Sequence, residues 1–170
     1  DVELIMLAKE VYNRLGVLNF KIKLNSIGKS GERKSYIETL RGFLKNNLNE
    51  LSEESKKRIE TNALRILDSK NPIDRKITED APKILDHLGV ESKSRFENVI
   101  NELTRLGVNY EIDFRLVRGL DYYTDTTFEF ISEDLGAQDA IGGGGRYDGL
   151  IELLGGKPTS GVGFGSGMER

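Results

Sequence analysis

The spacing of apolar residues changes character along the chain. Leu4, Ile5, Leu7, Ala8, Val11 and Leu15 fall on one face of a helix, and Gly16 suits its stop. Leu18, Phe20, Ile22 and Leu24 then alternate with Asn19, Lys21, Lys23 and Asn25, which predicts a strand ending at Ser26-Ile27-Gly28. Helical spacing returns after that. Tyr36, Ile37, Leu40, Phe43, Leu44 and Leu48 mark one helix, and Ser52 followed by Glu53 and Glu54 reads as the cap of the next. Leu64 and Leu67 mark a short piece closing near Asn71-Pro72. Pro82 suits a first turn whose helix Gly89 ends, and Phe96, Val99, Ile100, Leu103 and Leu106 mark a last helix stopped by Gly107.

Period two resumes with Val108, Tyr110, Ile112 and Phe114, and again with Thr126, Phe128 and Phe130. Leu150, Ile151 and Leu154 are helically spaced and close on Gly155-Gly156, while Gly161, Gly163, Gly165 and Gly167 alternate along an extended stretch. The expectation is an α+β protein. Residues 1–30 supply a helix and a strand, residues 31–107 an inserted module of about four helices, and residues 108–170 the remaining strands.

Composition alters this picture in a few places. Formal charge is only −3, so bulk charge names no partner, but residues 1–110 carry 20 basic against 17 acidic side chains and residues 111–170 carry 5 against 11. Within the helical stretch, residues 29–76 hold 12 Lys and Arg against 8 Asp and Glu, with Lys56-Lys57-Arg58 adjacent. Solvated helix faces account for such charges, and so does a surface for nucleic-acid phosphates. Cysteine is absent, which excludes a disulfide framework, a Cys-ligated zinc site and a thiol nucleophile. The single histidine, His87, has no second histidine or cysteine to share a metal with and is expected to be structural. No signal peptide and no apolar run of about 18 residues is apparent, so a soluble, cytoplasmic protein is expected. The start, Asp1 rather than Met with helical spacing at once, reads as cut.

Candidate chemistry gathers late in the chain. Arg118-Gly-Leu-Asp-Tyr-Tyr123 sets a guanidinium, a carboxylate and two phenols between predicted strands. Arginine grips carboxylate or phosphate in two-pronged fashion, and tyrosine lines small-molecule pockets. The tyrosines could equally be core, with Arg118 and Asp121 a local ion pair. Four glycines, Gly142 to Gly145, precede Arg146-Tyr147-Asp148-Gly149, and their entropic cost is offset where backbone must approach a ligand or another strand closely. The four alternating glycines leave a bare strand face, against which a purine could lie, and Arg170 follows them. Ser166 and Met168 break the Rossmann glycine spacing, and no P-loop motif occurs.

These stretches resemble known signatures. Val117-Arg-Gly-Leu-Asp-Tyr-Tyr-Thr124 resembles the histidine-binding signature of histidyl-tRNA synthetases, and Gly143-Gly-Gly-Arg-Tyr-Asp-Gly-Leu150 resembles their second signature. Gly163-Phe-Gly-Ser-Gly-Met-Glu-Arg170 resembles motif 3 of class II aminoacyl-tRNA synthetases, and Asn62-Ala-Leu-Arg-Ile-Leu-Asp-Ser-Lys70 is similar to part of that family's helical insertion. The resemblance implies part of a class II antiparallel sheet and ATP-dependent ligation of histidine to tRNA(His) through histidyl-adenylate. It implies that Arg118 is catalytic and bridges the histidine carboxylate and the α-phosphate. Tyr122, Tyr123, Gly143, Gly144 and Tyr147 would bind histidine; Gly165, Gly167 and Arg170 would bind ATP. Asp121 and Asp148 are left structural. Magnesium is expected with ligands unassigned, tRNA is expected against the helical module, and a homodimer is expected of the parent protein. Motifs 1 and 2 and an anticodon-binding domain are absent, so the chain reads as a fragment inactive alone. Two alternatives stay open: the synthetase-like regulatory subunit of ATP phosphoribosyltransferase, expected to lack the helical module, and a pseudo-synthetase domain that senses tRNA.

Overall fold

The computed structural model describes residues 1–117, 122–132 and 139–170. Helix α1 (Val2–Arg14) leads into strand β1 (Lys21–Ser26). Helices α2 (Ser30–Asn46), α3 (Glu53–Asn62), α4 (Leu64–Leu67), α5 (Pro72–Thr78) and α6 (Val90–Arg105) follow, with 3-10 turns at Leu48–Glu50 and Ile84–His87. Strands β2 (Glu111–Ile112), β3 (Thr124–Ile131) and β4 (Ala140–Arg146), helix α7 (Leu150–Leu153) and strand β5 (Val162–Ser166) complete the described elements. The fold is α+β. One five-stranded sheet runs in the order β2-β1-β3-β4-β5. It is antiparallel except where β2 pairs parallel with β1. Among the described residues no helix is long and apolar enough to cross a membrane.

Two cores hold the fold. On one face α1 and α6 bury Ile5, Ala8, Tyr12, Phe96, Val99 and Leu103 against Ile22, Leu24, Phe128 and Phe130. The phenyl of Phe130 lies 5.0 Å from the Tyr12 ring and 5.3 Å from the Phe20 ring, centroid to centroid, within the range of favourable aromatic pairs. The second core gathers Tyr36, Leu40 and Leu44 of α2 with Ile59, Ala63, Ile66 and Leu67, and it includes Val117 and Tyr123. The helical stretch is thus shared out: α6 packs with α1 on the sheet, while α2 to α4 back onto the segment that leads into β3.

Local signals explain most of the elements. Ser52 caps α3, its hydroxyl accepting from the Ser55 N–H at 3.3 Å, and Asn71 caps α5, with Pro72 in the first turn. The Glu32 carboxylate joins the two ends of the stretch. It accepts from the Lys29 N–H at 2.8 Å and from the Gly89 N–H at 2.9 Å, so one anion satisfies donors at the starts of α2 and α6. Gly28, at φ +61°, turns the chain from β1 into α2, and any side chain there would collide with Glu32.

Three expectations are corrected. The strand expected from Leu18 begins at Lys21, with Leu18 exposed. The strand expected over 108–114 shrinks to Glu111–Ile112. Its alternation reflects one-sided packing, because Val108 and Tyr110 lie on the α1–α6 core and the Val108 N–H donates to Leu103 as the end of α6. The helix expected between Pro82 and Gly89 is a 3-10 turn, and Gly89 instead caps the start of α6. The Pro82 carbonyl accepts from the Tyr36 hydroxyl at 2.7 Å, so a contact from α2 takes the acceptor that a helix starting there would use.

Candidate functional site

The period-2 rule decides what faces the open side of the sheet. Phe128 pairs with Gly144, and Phe130 with Gly142. Both aromatics point to the α1 side. The residues between them point the other way, so Glu129 and Gly143, which pair with each other, face outward. Gly143 pairs with Gly165 and Gly145 with Gly163 on the next strand, which leaves a floor of bare backbone. Glycines 142 and 144 serve the opposite face. A Cβ on Gly142 would meet the Tyr12 hydroxyl, and one on Gly144 would meet the Gly163 carbonyl and, at 2.7 Å, the Cβ of Phe164. They are small so that α1 and Phe164 can close on the sheet.

Above this floor lies a cleft of about 720 Å³ walled by Tyr122, Tyr123 and Tyr147 on one side and by Gly165, Gly167 and Arg170 on the other. The three phenol rings form a triangle with centroid separations of 4.7, 6.0 and 6.4 Å. Tyr123 is almost fully buried, whereas Tyr122 and Tyr147 are half-buried. The Tyr147 ring lies over Gly161 and Gly163, and a Cβ on either would strike it. Gly165 has nothing above it within 4 Å, so the glycine face is open only beyond Tyr147.

A polar frame holds Tyr147. Arg146 donates from Nη1 to Asp148 at 3.0 Å and from Nε to Asp1 at 3.0 Å. Asp148 also accepts from the Gly161 N–H at 3.1 Å, which ties the start of β5 to the end of β4. On the far wall the Arg170 guanidinium donates to the Ala140 carbonyl at 2.6 Å. Glu129 is the carboxylate among the described residues that line the cleft.

The comparisons with known proteins bear on this cleft. A family profile described as Histidyl-tRNA synthetase matches residues 1–170. The chain is 51% identical over 170 residues to the histidine–tRNA ligase of Saccharopolyspora erythraea and 50% identical to that of Crocosphaera subtropica. The chain belongs to the histidyl-tRNA synthetase family. Its fold matches the crystal structure of apo Staphylococcus aureus histidyl-tRNA synthetase with a TM-score of 0.73 at 35% identity, covering 99% of this chain and 41% of that one. All of this chain aligns with the two ligases but covers only 40% and 39% of their length.

The structure brings most of the residues singled out by resemblance to one place. Tyr122, Tyr123, Gly143, Tyr147, Gly165, Gly167 and Arg170 all line the one cleft. Gly144 turns to the other face of the sheet, where it admits Phe164. Arg118 and Asp121 lie outside the described residues. Asp148 accepts from the Arg146 guanidinium and the Gly161 N–H. The His87 ring lies 5.4 Å from the Tyr36 ring, tilted by 58°, and no group of three metal-binding side chains occurs among the described residues. The basic run at Lys56-Lys57-Arg58 is partly offset, since Lys56 pairs with Glu53 at 2.7 Å and Arg58 with Glu54 at 2.6 Å.

Two residues at the site carry no motif. Glu129 was detectable, because an acid between Phe128 and Phe130 in an alternating strand must face the opposite side. Arg33 was not. It sits in a polar run, Glu32-Arg33-Lys34-Ser35, that reads as a solvated helix face, yet its guanidinium reaches the Tyr123 backbone.

Proposed function

We propose that the protein joins histidine to tRNA(His) in an ATP-dependent reaction, acts in the cytoplasm, and uses this chain for the amino-acid pocket and part of the ATP site. The observation that carries the reading is the triangle of Tyr122, Tyr123 and Tyr147 beside the bare backbone of Gly143 and Gly165, in a chain of this family. The phenols offer polar tips beside apolar ring faces, the chemistry an imidazole needs. The open strand face at Gly165 suits a flat purine, and Arg170, whose stem packs against Gly167, stands beside it for the phosphates.

In the first step a carboxylate oxygen of histidine attacks the α-phosphorus of ATP. The bond to the leaving pyrophosphate breaks, and histidyl-adenylate forms. A hydroxyl of the terminal tRNA ribose then attacks the acyl carbon and AMP leaves. Both steps rest on positioning and on stabilising charge that builds at the phosphate. Arg118 takes the bridging role by its place in the signature. Glu129 fits the magnesium that such a reaction uses, since that ion is commonly held by one or two carboxylates together with substrate phosphates. Bound there, magnesium would neutralise phosphate charge. Helices α2 to α5 are the surface we assign to tRNA, by their net basic charge and position beside the cleft.

The test is pyrophosphate exchange into ATP by the full-length protein. Exchange should be stimulated by histidine and not by phenylalanine or glutamine. A purified protein that binds histidine but supports no exchange would instead fit the regulatory-subunit alternative, which relatives of about half identity named histidine–tRNA ligase do not favour.

A further inference from the structure

On the reading that the tyrosine cleft takes histidine, we infer that Arg33 is a positioning residue for the amino-acid pocket. Its Nη1 donates to the Tyr123 carbonyl at 2.6 Å. That carbonyl lies just before β3, where the regular ladder does not hold the backbone. Two residues on, Asp125 takes φ +48°, and the register of β3 against β4 shifts between Thr124 and Thr127. A non-glycine residue in the left-handed region persists only where its surroundings over-determine it. Those surroundings come from the ends of the helical stretch. The Asp125 N–H donates to Gly28 at 3.1 Å, the Ile27 N–H donates to the Asp125 carbonyl at 2.8 Å, and Arg95 of α6 pairs with the Asp125 carboxylate at 3.3 Å.

Arg33 completes this grip on the Tyr123 side. A charged donor on a part-buried carbonyl fixes the peptide plane and with it the direction in which the Tyr122 and Tyr123 rings leave the backbone. The guanidinium is not among the groups lining the tyrosine cleft. It lines a separate pocket of about 480 Å³ with Tyr122, Thr124 and Asp148. Arg33 therefore acts on histidine through Tyr123. Burial of Tyr123 in the second core persists without the bond, so the fold survives its loss while the pocket loosens.

The experiment compares wild type, Arg33→Met and Arg33→Lys in the full-length protein by pyrophosphate exchange at varied histidine and ATP, with thermal unfolding alongside. Methionine keeps the stem and removes the donors; lysine restores one donor. Arg33→Met should raise KM for histidine about tenfold with KM for ATP unchanged within about twofold, and Arg33→Lys should recover most of the loss. An unchanged histidine KM in Arg33→Met, with a histidine-dependent wild type, overturns this inference alone. So does a parallel loss in both substrates together with a lowered Tm that lysine fails to restore, for that is the signature of a structural residue. A wild type without histidine dependence overturns the reading of the cleft and this inference with it.

Discussion

At the scale of single residues, the glycines of β4 and β5 divide into those that build the sheet and those that keep a surface bare. Gly144 belongs to the first kind. Adding a Cβ there drives it into the Gly163 carbonyl and to 2.7 Å from Phe164, both on the paired strand, where nothing flexible can yield. Gly144→Ala is expected to cost about 2–3 kcal/mol and to lower Tm by roughly 5–10 °C, measured by calorimetry. Gly165 belongs to the second kind, with open space above it. Gly165→Ala should leave Tm unchanged within about 2 °C. If the purine lies there, its KM for ATP in pyrophosphate exchange rises while that for histidine holds. A destabilised Gly165→Ala, or an unchanged ATP KM, would remove Gly165 from the ATP site.

At the scale of elements, α3 and α5 are tied by a buried carboxylate. Asp74 is 1% exposed and accepts from the Ser52 N–H at 2.9 Å and from the hydroxyls of Ser52, Ser55 and Ser69 at 2.8, 2.7 and 2.7 Å. Burial alone would raise its pKa; the Ser52 N–H and the hydroxyls of Ser55, Ser69 and Ser52 outweigh burial and hold it below the ordinary 3.8. A depressed carboxylate contributes stability that is fully present above its unfolded pKa and is lost as pH falls through its folded one. Asp74→Asn should therefore be less stable than wild type by about 2–3 kcal/mol near neutral pH, with the gap closing only as pH drops below 3.8. Urea unfolding across pH checks this, and a gap independent of acid pH would assign the loss to packing.

The same scale shows what could be read in advance. The Ser52 cap, the Phe128–Phe130 alternation and the Gly107 stop are local, so the chain announces them, whereas Asn71-Pro72, read as the close of a short helix, also opens α5. Pro82 to Gly89 and the strand at 108–114 misled, because Tyr36 and the α1–α6 core, distant in sequence, decide those conformations. For the site, the signatures named the tyrosines and the floor glycines. Nothing local separated Gly143 from Gly144, since which of two adjacent glycines faces the cleft depends on register with β3. Arg33 and Glu32 look like surface charge until the chain is folded.

At the scale of the whole molecule, the helical stretch and the pocket share a core. Residues 31–107 read from the sequence as an inserted helical module, and in the fold Tyr36, Leu40, Leu44 and Ile66 pack in one cluster with Val117 and Tyr123, with the Tyr122 and Tyr147 rings leaning on that cluster. Removing α2 to α5 would expose the buried side of Tyr123, a loss of about 1.5–3 kcal/mol for one large side chain before its neighbours are counted. It would also delete the Arg33 grip on the Tyr123 carbonyl and the Glu32 bridge to the start of α6. Replacing residues 30–88 with a short Gly/Ser linker in the full-length protein is therefore expected to abolish histidine-dependent exchange together with aminoacylation. Retained exchange with lost aminoacylation would show that the pocket stands without the helices and that their contribution is to tRNA alone. Charge reversal of Lys56, Lys57 and Arg58 separates the two roles, since these side chains lie outside both the shared core and the cleft. It should spare exchange and, where tRNA phosphates are met, flatten the salt dependence of tRNA affinity, by less than three full contacts because Lys56 and Arg58 are already paired.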